Sequence, residues 1–476
     1  MSNSGRTTER TTAPHSSAGR APVDAPVTRL QRMTVMTSVV LVMLVAGMDT
    51  TILNTTMPRI ASALGGQEWY AWTFTSYMIF TTVMTPIAGR LADLFGRKRV
   101  FVAGMLVFLA GSLLCGFAGS TLQLVVYRAV QGAGAGLVAP FPPIIAGDLY
   151  PVEQRGKIQA LFSAMWGLSA VLAPLLGSVL MEHAGWRWIF WVNLPICLIS
   201  LLFLLAYPEA YRPKQAKVDT GGALLFSAGI VLALLVTVEL PGQIWYGAAG
   251  AAILALFFLY ERRHPSPLLP LGLFGDRQLR WITVNAFAST AALFGTSSFV
   301  PMFLQMEGYS LFASGAVLIG MSAGWMAASV PSGKWILKYG YARLIVTGNA
   351  LLVASGAMLL FLRPGTGLLY VGVTMFVLGL AFGLLATVGT IGAQQLVGPH
   401  DKGVSTSLQL FARNVGTAVG VAVMGGLFNR AGDPYTGIAH LFQYGAAAAV
   451  VALLSSLPML KRTFVRAAAE TGPDQA

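Results

Sequence analysis

Long apolar blocks separated by short polar connections occupy nearly the whole chain between residues 33 and 462. A helix needs about 20 apolar residues to cross the hydrocarbon layer of a bilayer. That length predicts spans over 34–57, 69–92, 100–119, 122–147, 158–181, 188–207, 221–238 and 244–260. Six more follow over 281–304, 313–337, 344–362, 368–394, 403–428 and 438–460. The expected fold is therefore all-α and integral to a membrane, with about 14 spanning helices. The seventh and eighth are the tightest pair, because Pro241 and Gly242 leave little room for their turn. Residues 1–32 are rich in Ser, Thr, Pro, Ala and Arg, lack apolar periodicity and read as a disordered tail. No small-residue cleavage site follows the first apolar run, so it stays as a span.

Composition supports lipid contact. Apolar residues make up 55% of the chain and charged residues only 10%, against about a quarter in a water-soluble protein. Polar surface of that extent does not cover a globule of 476 residues. The net charge of +13 is spread over short connections and forms no nucleic-acid-binding face. Membrane topology explains it. Arg97, Lys98, Arg99, Arg155, Lys157, Arg262, Arg263, Arg277, Arg280, Lys338, Arg343 and Lys402 fall on one side, while the opposite loops carry little beyond Arg187, Arg363 and Arg430. An even number of spans and the positive-inside rule place both termini in the cytoplasm.

Several classes of chemistry are excluded. Cys115 and Cys197 lie within apolar blocks and read as packing residues, not as a disulfide or metal ligands. The five histidines, His15, His183, His264, His400 and His440, sit in tails or loops without ligand spacing. No metal and no cofactor is expected. The pattern G-x-x-x-x-G-K-(S/T) is absent, so no nucleotide drive is indicated.

The chain also repeats itself. Residues 89–99 (GRLADLFGRKR) align with 333–343 (GKWILKYGYAR), with Asp93 replaced by Leu337. A similar offset carries Gly132, Gly136 and Gly156 onto Gly379, Gly383 and Gly403. Two six-helix bundles of the same orientation are expected, over 33–207 and 281–462. The linker 208–280 would carry the two extra helices, and 1–32 and 463–476 would be cytoplasmic tails.

Residues 89–99 resemble the signature loop of the major facilitator superfamily, G-x-L-x-D-x-x-G-R-(K/R)-(K/R), at every fixed position. The resemblance implies a conformational latch. Gly89 and Gly96 would allow close packing and a sharp turn. Asp93 would face the positive end of the helix starting near Gly403, and Arg97 would pair with Asp148 at the end of span four. Residues 128–136 (RAVQGAGAG) resemble the family's span-four motif, whose alternating glycines admit a neighbouring backbone. Residues 49–58 (DTTILNTTMP) resemble the first-helix signature of the 14-helix drug:proton antiporters, D-x-T-x-x-N-x-x-x-P. Asp49 and Arg128 lie at similar depths, about 12 and 9 Å from the outer ends of their helices. They either pair or compete for a proton in one cavity, and ionisable groups at such depth are costly and usually functional.

Residues 167–178 resemble the family's antiporter motif, built from Gly167, Ala173, Pro174 and Gly177, with Ala173 and Ser178 in place of glycines. The segment 185–195 (GWRWIFWVNLP) is similar to the W-R-W-I-F-x-x-N-x-P stretch of the 14-helix family and reads as an interfacial belt with a family-marking role. Polar or aromatic residues that qualify for substrate contact are Asn54, Trp72, Tyr77, Gln131, Trp166, Asn285 and Gln409. Arg413, mid-way through span thirteen, either holds an anionic group or makes an interhelical bond.

The resemblance implies a monomeric, multi-pass protein of the bacterial cytoplasmic (inner) membrane, in contact with lipid. It would export small amphipathic compounds in exchange for protons by alternating access, with protons as the coupling ion. A dedicated exporter of one metabolite, antibiotic or siderophore is the alternative on the same scaffold. A membrane-embedded enzyme would need clustered carboxylates or histidines at one interface, and the sequence shows none.

Overall fold

The computed structural model describes residues 28–65, 69–208, 219–235, 242–265, 267–269, 272, 275–398 and 401–461. The expected tails at 1–27 and 462–476, the basic stretch 209–218 and the turn at 236–241 lie outside these residues. Among the described residues the chain is helical throughout. The first six predicted spans appear as α1 (Arg29–Leu64), α2 (Tyr70–Phe95), α3 (Arg97–Gly116), the pair α4 (Thr121–Val138) and α5 (Phe141–Leu149), α6 (Val152–His183), and the pair α7 (Trp188–Trp191) and α8 (Asn193–Leu204). The middle pair is α9 (Thr220–Leu235) and α10 (Gln243–Glu261). The last six are α11 (Arg277–Leu293) with α12 (Thr296–Met306), α13 (Leu311–Tyr339), α14 (Tyr341–Leu360), α15 (Leu368–Gln395), α16 (Lys402–Asn429) and α17 (Pro434–Ser456). Ten helices of the described residues are long and apolar enough to cross a membrane, and 188–204 and 220–235 are shorter apolar helices.

Local sequence explains the boundaries. Thr28 and Gln31 form a reciprocal capping box that starts α1, with the Gln31 amide donating to Thr28 Oγ1 at 3.2 Å and the Thr28 amide to Gln31 Oε1 at 3.0 Å. The fourth span breaks where Pro140, Pro142 and Pro143 remove successive backbone donors. Gly96 (φ 98°) and Gly340 (φ 79°) occupy the same place in the two repeats, one between α2 and α3, the other between α13 and α14. Both need a backbone region that glycine alone enters cheaply.

Packing follows the repeat. One buried core unites α1, α3 and α5 through Val39, Phe101, Met105 and Phe141. Another unites α11 to α17 through Ile282, Leu352, Met375 and Phe382. The extra pair α9–α10 is joined to both, since Phe226 packs 5.4 Å from Phe257 and 5.3 Å from Phe411 of α16, beside Ile79 and Val83 of α2. Large apolar side chains such as Ile244, Trp245, Leu202 and Leu369 lie exposed on the outside of the helices, as lipid contact requires.

The two halves meet at two glycine seams. A Cβ on Gly89 would stand 2.5 Å from the Gly403 carbonyl oxygen, so α2 touches α16 backbone to backbone. A Cβ on Gly156 would stand 2.5 Å from the Ser329 carbonyl, and one on Gly333 2.5 Å from that of Val152, so α6 touches α13 equally closely. Gly89 is the repeat counterpart of Gly333, and Gly156 that of Gly403. The seams are thus two copies of one contact, exchanged by approximate twofold symmetry. Further along α6 the seam loosens, and a Cβ on Gly167 would meet only Ser322 Oγ at 3.9 Å.

One feature breaks the symmetry. Asp93 accepts the Gly403 and Val404 amides at 3.1 and 2.8 Å, whereas its counterpart Leu337 is 60% exposed. The helix ends account for this. Helix α16 begins at Lys402, so Gly403 and Val404 are among its first four amides and lack intrahelical acceptors. Helix α6 begins at Val152, more than a turn before Gly156 and Lys157, and the corresponding amides are already used within the helix. Leu337→Asp is therefore expected to leave transport within about twofold of wild type, as for an exposed substitution elsewhere. Vesicle uptake rates check this.

Candidate functional site

Asp49 projects from α1 into the interior of the first six-helix bundle and is 3% exposed. Arg128 of α4 donates from Nη1 to its Oδ2 at 2.7 Å. Two neutral side chains, Gln131 and Asn193, complete the shell. Gln131 Nε2 donates to Asp49 Oδ1 at 2.9 Å, Asn193 Nδ2 of α8 donates to the same oxygen at 3.2 Å, and Gln131 Oε1 accepts from Arg128 Nη1 at 2.6 Å. Ser112 of α3 accepts from Gln131 and Asn193 at 3.2 and 3.1 Å and donates to the Phe190 carbonyl at 2.8 Å. The Arg128 guanidinium lies 4.1 Å from the centre of the Tyr77 ring, and its Nε donates to the Thr73 carbonyl at 3.4 Å. Five helices thus close round one ion pair. A buried pair with its remaining hydrogen-bonding capacity met in this way avoids the orphaned charge that makes such pairs costly.

The glycine rows bring these helices together. A Cβ on Gly132 or Gly136 of α4 would stand 2.5 Å from the carbonyl of Tyr77 or Thr81 in α2. Helix α1 in turn lies on α6. Ser169 Oγ donates to the Leu44 carbonyl at 3.0 Å, a Cβ on Gly47 would stand 2.6 Å from Ser169 Oγ, and one on Gly177 would stand 2.9 Å from Ile52. Gly47, Asp49 and Ile52 lie within two turns of one helix. The antiporter-motif residues Gly167, Ala173 and Gly177 therefore sit on the helix that joins the Asp49 bundle to α13. The side chain of Pro174 lies outside the described residues.

At the end carrying the Gly96 and Gly340 turns, the residues expected to form a latch come together. Asp93 is fully buried against α16. Arg97 forms an ion pair with Asp148, and Tyr207 donates to Asp148 Oδ2 at 2.7 Å. Burial, reinforced by the Asp148 charge, pushes the Tyr207 phenol well above its ordinary range and keeps it a donor. A further tie across the halves runs from Gln394 Nε2 to the Pro143 carbonyl at 2.9 Å, while Arg155 donates to the Gly147 carbonyl at 2.6 Å.

The proposed substrate contacts are dispersed. Tyr77 and Gln131 belong to the buried network, Trp72 is half-buried in the first turn of α2, and Trp166 is 47% exposed on α6. The Asn54 side chain lies outside the described residues. Asn285, Gln409 and Arg413 line a cavity in the second bundle with Thr290, Ile345 and Phe382. Asn193, Ser112 and Tyr207 escaped the sequence reading. Asn193 had a signal, an amide within an apolar span, but stood inside a motif taken as interfacial. Ser112 and Tyr207 had none.

Two helical bundles joined by mirrored seams, each with polar groups in its interior, define a membrane carrier of small solutes. Comparison with known proteins agrees. The Major Facilitator Superfamily profile matches residues 39–421, and the chain belongs to that family of transporters. The multidrug transporter protein MdtP of Bacillus subtilis is 32% identical over 423 residues, covering 85% of this chain and 77% of its own. The multidrug efflux pump SdrM of Staphylococcus aureus is 26% identical over 408 residues, covering 84% and 90%. Among solved structures, the human organic anion transporter MFSD10 superposes with a TM-score of 0.66 at 16% identity, over 89% of this chain and 99% of its own. The proton:xylose symporter XylE gives 0.63 at 14% identity, over 89% and 95%. These two share the fold.

Proposed function

We propose that this transporter exports small amphipathic compounds in exchange for protons, by alternating access. The observation that carries the reading is the buried Asp49–Arg128 pair on the helix packed against the antiporter motif. Export of drug-like compounds is supported by the relatives named as multidrug transporters. The basic loops support a cytoplasmic latch end and cytoplasmic termini in a bacterial inner membrane. The closed glycine seams then describe the outward-facing state.

In the cycle, a proton reaching Asp49 from outside removes the charge that holds Arg128. The network loosens, α1 moves on α6, and the seam between α6 and α13 opens towards the cytoplasm. There the proton leaves and substrate binds. Drive comes from the different affinities of the two states for proton and substrate.

The test uses inside-out vesicles with an imposed pH gradient, acid inside, and a fluorescent amphipathic dye. Uptake is expected to follow the gradient and to stop when nigericin collapses it; uptake that survives the collapse overturns proton drive. A panel of unrelated compounds separates the broad exporter from a dedicated one, which would carry a single member.

A further inference from the structure

The second bundle holds a charge that the cycle above does not use. Arg413 lines the cavity between α11, α14, α15 and α16, and no ion pair or hydrogen bond of its guanidinium is present among the described residues. The sequence offers it none nearby, because helices α11 to α17 contain no Asp or Glu at all. Four residues earlier, on the same face of α16, Gln409 is 2% exposed. Its Nε2 donates to Thr283 Oγ1 at 2.6 Å, the residue lines the cavity, and its buried Oε1 has no hydrogen-bond partner among the described residues.

Two other polar walls of the cavity are engaged. Asn285 donates to the Ala452 carbonyl and to Ser455 Oγ, both at 2.9 Å, and accepts from Asn349 at 3.2 Å. Thr290 Oγ1 donates to backbone carbonyls. One fixed cation and one acceptor a helical turn away remain, with the Thr390 hydroxyl, among the buried apolar side chains Ile282, Ile345, Phe382 and Leu385. A charge in a membrane interior without a counter-charge is unfavourable, and no described residue supplies one here.

We propose that this cavity, whose volume of about 10 Å³ leaves room for one small polar group, is a subsite for the carboxylate of amphipathic organic anions, held on Arg413 with an adjacent N–H or O–H donor near Gln409. This rests on the export reading and narrows its substrate class. Cationic solutes are disfavoured, since the acidic residue within the membrane at Asp49 is already paired in the other bundle.

The experiment measures binding, so that it stands or falls apart from transport. Purified protein in detergent is titrated with three fluorescent probes that share one ring system: dansylglycine (anionic, with a sulfonamide N–H beside the carboxylate), dansylglycinamide (neutral) and dansylethylenediamine (cationic). Wild type is expected to bind the acid about ten- to a hundredfold more tightly than the amide, the range of one charge-assisted contact in a dry site. The amine should bind more weakly still. Arg413→Met should abolish the preference for the acid, and Arg413→Lys should keep part of it. Because Arg413 has no internal partner, Arg413→Met should melt no lower than wild type, whereas an interhelical bond would make it melt lower. Equal binding of acid and amide by wild type, absence of acid binding, or an unchanged preference in Arg413→Met overturns the subsite. A charge preference that vanishes in Arg413→Met, in a protein that shows no gradient-driven transport, would uphold the subsite and overturn the export reading.

Discussion

Asp49→Asn is expected to abolish gradient-driven transport while leaving substrate binding largely intact. Asparagine keeps the size and one acceptor of aspartate, so Gln131 and Asn193 retain a partner, but it has no carboxyl to carry a proton. The network would then stay in one protonation state whatever the gradient. Transport down a substrate gradient, which needs no proton turnover, should persist at a reduced rate. The energetic half of the test is a double-mutant cycle in detergent. Arg128→Met leaves the Asp49 carboxylate buried and unpaired, at a cost of about 3–5 kcal/mol for a broken buried pair. Adding Asp49→Asn removes the stranded charge and should restore most of that loss. Additive melting shifts would mean that the two side chains do not act as a unit. Undiminished pH-driven uptake by Asp49→Asn would remove Asp49 from the coupling.

The spans and the repeat were legible in the sequence because each is a property of contiguous residues. Hydropathy reports lipid contact one helix at a time, and the Gly96 and Gly340 turns stand at matching places in two similar segments. Asp49 and Arg128 were legible as groups at one depth, paired or competing for a proton, because depth along a helix can be counted from its end. Their partners were not. Asn193 reaches Asp49 across 144 residues of chain, and Ser112 reaches it only through Gln131 and Asn193. Such contacts depend on how neighbouring helices are rotated about their axes, and hydropathy does not report rotation in spans that are apolar on every side. Tyr77 and Gln131 illustrate the same limit from the other direction. Both are polar or aromatic residues in spans that suit a cavity, yet both face the ion pair inside the bundle. The C-terminal cavity was half legible, since Arg413 stands out in α16, but only the structure shows that no described residue answers its charge.

Asp93→Ala carries the second large effect, on the balance between the two states. In the closed latch the carboxylate caps α16 from the other half of the molecule, accepting two amides that have no other partner. Loss of a capping side chain costs about 0.5–2 kcal/mol, and leaving a buried donor unsatisfied costs about 1–3 kcal/mol. In the open state these amides reach water, so the penalty falls on the closed state alone. A shift of about 2–3 kcal/mol moves the closed-to-open ratio by about 30- to 150-fold. Ser407 reports it. Its side chain is fully buried in the seam opposite Gly89, and the native Cys115 and Cys197 are buried as well, so a Ser407→Cys protein offers one reactive site whose exposure follows the seam. A water-soluble maleimide should label it slowly in the otherwise native protein and faster by about that factor when Asp93→Ala is added. Asp93→Asn, which keeps one carboxamide oxygen for the two amides, should fall between. Labelling at the native rate in Asp93→Ala would show that the glycine seams and the Gln394 tie to Pro143 hold the end closed without the acid. The latch would then be a matter of packing, and the conformational change would have to be driven from the Asp49 side against that packing alone.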